Sequence, residues 1–586
     1  SNNLNEVLIL QNRTVSGTVI SGEDNTGIPG VNVIEKNTSN GTVTDADGNY
    51  TINVSEGATL VFSSVGFQQQ EVAVGGRSVI DITMAPDVQA LEEIVVVGYG
   101  TQRKRDVTGS ISSVQAQDIE NIGAPSLENA LQGQAAGVQM TSAGGSPVSQ
   151  SRILVRGLSS ISSGSEPLIV IDGMPVSGPN ESAGGTSQSI NPLSLVNPAD
   201  VASIEVLKDA AATSIYGSRG ANGVVLITTK SGEGTAGGVD INYRTGITEP
   251  TNNYEFIGTQ EWFRLVDESR ANNPNNLNPF NPLIDRNYGL GESGISRDQA
   301  LAVDNYWLEK ITRDNGSFHD VNISASGGGE KTNYFVSTNY RNEGGFLKKN
   351  DIDRLVARIN LDFNPIKSLK IGTRTNLSYL RQVQVPITGG APGGNIGASM
   401  GNWSQGVGVP PWYPVLNEGS PYGYFDIFSG NNLTAVLNEN WYDERSSVSR
   451  ILSKVYADYT LPFFDKITIH GEASIDRSDD LSVRHIKEEL RPDSAAFIEH
   501  NQNYDLNYNL NAYATYQQTY NAVHNVNVVA GTETFSNNPF RGFLSAENPT
   551  DEKFAGFITN IQRGLFTRGE EIRFRSWFGR FNYNYD

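Results

Sequence analysis

A period of two runs through the second half of the chain. Leu355, Ala357, Ile359, Leu361 and Phe363 alternate with Val356, Arg358, Asn360, Asp362 and Asn364. Ile467, Ile469, Gly471, Ala473 and Ile475 alternate with Thr468, His470, Glu472 and Ser474. Leu506, Tyr508, Leu510, Ala512, Ala514 and Tyr516 do so with Asn507, Asn509, Asn511, Tyr513 and Thr515. Successive side chains of a strand point to opposite faces, so each run is a strand with one apolar and one wet face. Ten strands are predicted, near 239–247, 317–327, 331–342, 354–364, 368–381, 449–460, 466–477, 503–517, 523–535 and 571–586. Their connections alternate long and short. The tight ones are GGGE, NPIKS, LPFFDK and QQTYNA, and the longest spans 248–316. A sandwich has no reason to keep that rhythm, whereas a transmembrane barrel has short turns at one rim and long loops at the other.

Strand one should therefore rise from the short-turn rim. Ten strands enclose little more than their own side chains, yet a region of different composition precedes them and must be housed. A barrel of about 22 strands accommodates such a plug. The expectation is that roughly half the barrel lies beyond Asp586, where FGRFNYNYD stops in mid-pattern. The chain opens on Ser1 without Met, as expected of a processed form.

Upstream, residues 1–13 form an extension with a strand predicted at Val7–Leu10. From Thr14 the chain reads strand, turn, strand: TVSGTVIS, IPGVNVIEKN, GTVTDADGNYTINV, ATLVFSSVGF, QQEVAV, SVIDITMAP. This spacing predicts a small β-sandwich over 14–86. DADGN imitates a calcium loop, with Glu56 at its twelfth position, but Gly48 stands fourth rather than sixth, so a hairpin turn is predicted instead. Residues 107–233 carry apolar runs at ILVRG, PLIVIDGMPV, IEVLKD and GVVLITTK, with short helices predicted at Pro125–Leu131 and Asp200–Ser203. That mixture predicts a compact α+β plug. The barrel takes 234–586, so the fold class is mainly β.

At 586 residues the chain exceeds one ordinary core. Its net charge of -21 argues against nucleic acid and against docking on anionic headgroups. With no cysteine there is no disulfide, thiolate site or Cys nucleophile. No run approaches a membrane helix, which leaves the barrel open as a spanning structure. His319, His470, His485, His500 and His524 show no metal-ligand spacing, and Asp479 and Asp480 read as a solvated polar loop. Neither a catalytic residue, a metal nor a cofactor is expected.

Between sandwich and plug, 87–106 is a linker holding LEEIVVVGYGTQRKR. Its β-formers sit between polar flanks with no partner strand evident nearby, so an outside strand is expected to pair with it. VVVGYG also imitates a dinucleotide loop, but Arg103 replaces the third glycine and no βαβ unit follows. Arg103, Lys104 and Arg105 read as solvated linker.

LQGQAAGVQM, ILVRGLSS, PLIVIDGMPV, NPADVASIEVLKDAAATSIYGSRGANGVVLITTKSG and EEIVVVGYGTQRKRDVTGS together resemble the SusC-like branch (SusC/RagA family) of TonB-dependent outer-membrane transporters. GTVTDADGNYTI and VFSSVGF resemble a carboxypeptidase-regulatory-like domain. The resemblance implies a plug in a 22-stranded barrel and import of an oligosaccharide or oligopeptide driven by TonB, itself energised by ExbB–ExbD. It implies a SusD-like surface lipoprotein, a dimer of such pairs, and an outer-membrane location in a Gram-negative bacterium with the sandwich in the periplasm. Glu93, Ile94, Val95, Val96, Val97, Gly98, Tyr99 and Gly100 then correspond to the TonB box.

Arg156 and Asp172, beside Gly157 and Gly173, stand in apolar settings and are expected to be buried, structural ion-pair members of the plug, the alternative being a role in its release. Trp403, Trp412, Tyr413, Trp441 and Tyr442, among amides and acids, are candidate ligand platforms. A second reading keeps the barrel as a structural or assembly element of an outer-membrane complex without transport.

Overall fold

The computed structural model describes residues 13–585 except 23–25, 37, 39, 56, 65–66, 68–69, 86–93, 97–100, 104–110, 117, 120–125, 143–150, 161–163, 177–191, 236, 250–255, 273–296, 384–409, 417–422, 425–433, 439, 488–489, 491–495, 522 and 548–560. Two compact units divide at Thr108 and Gly109. The strand expected at Val7–Leu10 lies outside the described residues.

The first unit is the sandwich. One sheet orders β4 (Asn49–Val54), β1 (Arg13–Ser21) and β7 (Ile82–Met84); the other orders β3 (Gly41–Val43), β2 (Asn32–Glu35), β5 (Thr59–Ser63) and β6 (Gln70–Ala73). Alternate residues face inward, so Val15, Val19, Val33, Ile52, Leu60 and Phe62 make the core. Tyr50 sits edge-on to Phe62, its hydroxyl donates to Ile80 O at 2.8 Å, and burial pushes that hydroxyl up to about 12. DADGN is the predicted turn: the Asp45 carboxylate accepts from Asp47 N at 3.0 Å and Asn49 N at 2.8 Å, and Gly48 takes φ +82. The same unit holds β8 (Ile94–Val96) and β9 (Thr101–Arg103), paired antiparallel.

The second unit holds plug and barrel wall. The plug sheet orders β10 (Ile111–Gln115), β15 (Val201–Leu207), β16 (Val224–Thr229), β13 (Leu168–Ile171) and β14 (Met174–Val176), beside a hairpin of β11 (Val138–Ser142) and β12 (Ser151–Val155). The predicted helix near Pro125–Leu131 is α1 (Leu127–Leu131). The helix expected at Asp200–Ser203 is absent. A single 3-10 turn, Pro198–Asp200, capped by Asn197, runs into β15, whose Val201, Ile204 and Val206 complete the plug core.

The wall is a meander: β17 (Gly238–Thr248), β18 (Gly316–Gly328), β19 (Thr332–Gly344), β20 (Asp351–Ile366), β21 (Leu369–Val383), β22 (Tyr442–Thr460), β23 (Ile467–Ile486), β24 (Phe497–Tyr520), β25 (His524–Glu547) and a tenth stave made of β26 (Ile561–Arg568) and β27 (Ile572–Tyr585). β26 and β27 both pair with β25, in succession, so the ten predicted strands are ten staves of a partial barrel. Several staves run longer than predicted. The connection 345–350 is consequently no longer than the turn 461–466, but the two rims still alternate in order.

Burial is the reverse of a water-soluble sheet. Leu355, Ile359, Leu361 and Phe363 are 40–49% exposed, whereas Arg354, Arg358, Asn360 and Asp362 are 0–3% exposed. The apolar face is the lipid-facing one, and the polar face meets the plug. On β23 the outward apolar series Ile469–Ile475 gives way to Arg477 and Asp479, which pair at 2.8 Å. The acids 479–480 therefore lie in a strand rather than a loop, Asp479 outward and Asp480 inward, because the alternation continues through them.

Candidate functional site

The site is the seat where the plug meets the wall. β13 and β14 are joined by the two-residue turn Asp172-Gly173, with Ile171 opposite Met174 and φ of +50 and +86. Positive φ at both positions is the type I′ geometry that Asp-Gly favours. The turn aims Asp172 back along its own sheet and outward. Its carboxylate accepts from Thr229 N at 2.9 Å and from Thr229 Oγ1, and from Arg358 Nη1 of β20 at 3.1 Å.

The same guanidinium places Nε 3.5 Å from Asp200 Oδ2 and donates through Nη2 to Asn376 Oδ1 at 3.2 Å. One wall arginine thus bridges two plug carboxylates, and the three side chains are 1%, 5% and 1% exposed. Burial pushes the Asp200 carboxyl up, and Arg358 draws it back down. Around this centre Asn360 Nδ2 donates to Lys230 O at 2.7 Å, Arg354 Nη1 to Ser194 O at 3.1 Å, Asn376 Nδ2 to Leu195 O at 3.3 Å, and Asn197 Nδ2 to Asn322 Oδ1 at 2.8 Å. On another stave Glu533 accepts from Arg219 Nη2 at 2.6 and 2.7 Å, with Arg219 5.0 Å from the Phe535 ring centroid. Leu452 of β22 adds an apolar contact to the plug core.

Asp172 and Gly173 are therefore placed at the seat. Arg156 is not buried: it is exposed at φ +61, followed by Gly157 at φ +90, in a turn after β12, so its charge stays in solvent. Sequence reasoning missed Arg358, Asp200, Thr229, Arg219 and Glu533. The one available signal was an arginine on the wet face of an otherwise regular strand.

Of the linker segment, Ile94–Val96 is a strand, and Glu93 and Val97–Gly100 lie outside the described residues. The expectation of no nearby partner is corrected. Thr101–Arg103 pairs with it, Ile94 opposite Arg103, Val95 opposite Gln102 and Val96 opposite Thr101. Backbone N–H and C=O groups take the partner nearest in sequence, which costs least in loop closure. Arg103, expected in solvated linker, belongs to that strand.

The aromatic platform is corrected as well. Trp412, Tyr413 and Tyr442 are 0–4% exposed inside a cluster built from the long-connection rim. Helices α2 (Thr259–Asn272), α3 (Arg297–Leu301) and α4 (Trp307–Ile311) supply Phe263, Ala300 and Trp307 to it. Trp412 stacks on Tyr413 at 4.3 Å and leans on Trp262 at 5.7 Å, so these rings face one another rather than a ligand. Trp441 is partly buried edge-on to Tyr424 at 5.1 Å, and Trp403 lies outside the described residues. Trp412→Ala is expected to cost about 3–5 kcal/mol of local stability. Faster proteolysis of the connection 249–315 would register it; weakened ligand binding with unchanged proteolysis would contradict it. His485 and His500 stack at 5.8 Å, yet among the described residues no group of three or more His, Asp or Glu is placed to hold a metal ion.

A plug seated by buried polar contacts in an outward-apolar barrel wall, preceded in the chain by a sandwich, defines a TonB-dependent receptor. The TonB-dependent Receptor Plug Domain model matches residues 103–224 and the CarboxypepD_reg-like domain model residues 15–96. TonB-dependent receptor P39 of Formosa agariphila is 36% identical over 63% of the chain and 33% of its own length. TonB-dependent receptor SusC of Bacteroides thetaiotaomicron is 31% identical over 74% of the chain and 39% of its own. The RagAB peptide importer in its open-open state superposes with a TM-score of 0.66 at 21% identity, over 84% of this chain and 55% of that one. The chain belongs to the SusC-like TonB-dependent receptors, and it spans 33% and 39% of the two curated relatives' lengths.

Proposed function

We propose that the protein imports a bulky nutrient, an oligosaccharide or oligopeptide, across the outer membrane of a Gram-negative bacterium. TonB, energised by ExbB–ExbD, pairs with Glu93–Gly100 from the periplasm, where the sandwich also lies, and its pull unseats the plug. A SusD-like lipoprotein captures the ligand at the long-connection rim. The observation that carries this reading is the seat itself: a folded plug held inside the wall by ion pairs and hydrogen bonds to Arg358, Asn360, Arg354 and Glu533, which separate and re-form without covalent change. The likeness to a peptide importer supports the oligopeptide branch, and the likeness to SusC supports the family's partners.

Uptake of labelled oligopeptide and oligosaccharide pools, compared between cells with and without TonB, tests it. Receptor-dependent accumulation is expected to fall to background without TonB for one of the two pools. Undiminished accumulation of both would leave the barrel as an assembly element.

A further inference from the structure

On β22 and β23 the inner face of the wall carries charge: Arg450 pairs with Asp476 at 2.6 Å and Lys454 with Glu472 at 3.1 Å. β24 interrupts this. From Asn507 to Thr515 the residues on its inner face are Asn507, Asn509, Asn511, Tyr513 and Thr515, without a charge among them. The three asparagines are 3–4% exposed, while Tyr508 and Leu510 between them are 45% and 57% exposed on the outer face.

The resting protein makes uneven use of these amides. Asn507 Nδ2 donates to Asp476 Oδ2 at 3.3 Å, and Asn511 Nδ2 to Glu472 Oε1 at 2.8 Å. Asn511 Oδ1 has no partner, and Asn509 has none for either amide atom. Its ladder neighbours are Ser474 and Phe535, and the Arg219 guanidinium of the plug lies over the Phe535 ring while it donates to Glu533. Buried polar groups are nearly always paired, and one left unpaired costs free energy that an apolar side chain of similar size would not. Asn509 therefore gains the seated plug nothing.

The period points to what meets it. Alternate residues of a strand repeat at about 6.6–6.8 Å, so the three amides stand at the spacing at which an extended peptide presents every second residue. Each side-chain amide carries donors and an acceptor, a match for the C=O and N–H of one peptide residue. A glycan repeats at a distance fixed by its rings and linkages and has no such match.

We infer that β24 is the track along which an extended oligopeptide passes once Arg219 lifts from Glu533, its backbone meeting Asn507, Asn509 and Asn511 in turn. This rests on the reading of the protein as an importer, and adds the ligand class and the stave it uses. Because the amides are covered while the plug is seated, they act on passage and not on capture.

The test is Asn509→Leu and Asn509→Ala in the full-length receptor. Uptake of labelled casein-digest peptides and of labelled starch-digest dextrins is measured in cells, and peptide binding and melting on the purified protein. Peptide uptake is expected to fall about tenfold in both variants, the value of two hydrogen bonds of typical net strength. Peptide binding to the resting receptor is expected to stay at the parent's level, and Asn509→Leu to melt no lower than the parent. Parental peptide uptake in both variants overturns the track and leaves import standing. Loss in only one variant, which is an effect of bulk or of a cavity, overturns it as well, and so does loss in Asn509→Leu accompanied by earlier melting, which is a structural role. Dextrin uptake slowed as much as peptide uptake, or TonB-dependent uptake of dextrins alone by the parent, overturns the peptide as the ligand. Uptake of neither pool in a TonB-dependent manner by the parent overturns the importer reading and the track with it.

Discussion

Deleting Ile94–Tyr99 is expected to abolish uptake while the protein still reaches the outer membrane folded. The segment lies in the first compact unit, whereas the plug core, built from Val114, Leu127, Ile153, Ile204, Val225 and their neighbours, belongs to the second. Its loss removes β8 and leaves Thr101–Arg103 without a partner, at the cost of about three backbone hydrogen bonds netting roughly 0.5–1.5 kcal/mol each. That is a local loss. What disappears is the mechanical coupling between periplasm and plug. Uptake at background with unchanged surface protein and unchanged barrel melting is the expected pair of readouts. Uptake near the wild-type level in the deletion strain would contradict the box assignment directly.

Replacing Arg358 by Met is expected to loosen the plug. The substitution leaves Asp172 and Asp200, both at least 95% buried, without their shared cation. Stranding one side of a buried ion pair costs about 3–5 kcal/mol, a large share of the 5–15 kcal/mol that holds a typical domain together. Two acids are stranded here, although Thr229 N and Oγ1 still serve Asp172. The expected phenotype is leakage: sensitivity to a large hydrophilic antibiotic and an early melting transition of the plug. Adding Asp172→Asn and Asp200→Asn should recover much of the loss, since neutralising all partners removes the stranded charge. A single mutant as tight as the parent would show that Asn360, Arg354 and Glu533 hold the plug by themselves.

Much of the wall was readable because period two is a local property. Leu355 to Asn364 declares a strand and its two faces without reference to anything else in the chain. Which face is buried is not local. The polar face is buried because the plug lies against it, and the partners of Arg358 are 186 and 158 residues away in sequence. Strand ends were lost where alternation stays regular but the residues turn polar, as at Arg477, Asp479 and Asp480, where composition suggests a loop and hydrogen bonding continues the ladder. Aromatic loops were misread for a related reason. Trp412 and Tyr413 look the same in sequence whether they offer a platform or fill a core, and only the helices between β17 and β18 decide it. The β8–β9 hairpin was half legible: the glycines signalled a turn, but Thr-Gln-Arg carries too little β-character to announce itself as the returning strand.

The length of the staves has an electrostatic consequence. β24 and β25 each run 24 residues, about 60 Å along the membrane normal once tilted, against an apolar band of about 25 Å that lies toward the tight turns. At these two staves the opposite rim therefore stands about 35 Å clear of the hydrocarbon. The headgroup zone takes up about 7 Å of that height, and with a screening length of about 8 Å at physiological salt the headgroup potential has decayed to roughly three hundredths there. A charged ligand arriving over β24 and β25 therefore feels chiefly the side chains of the receptor and of whatever caps it.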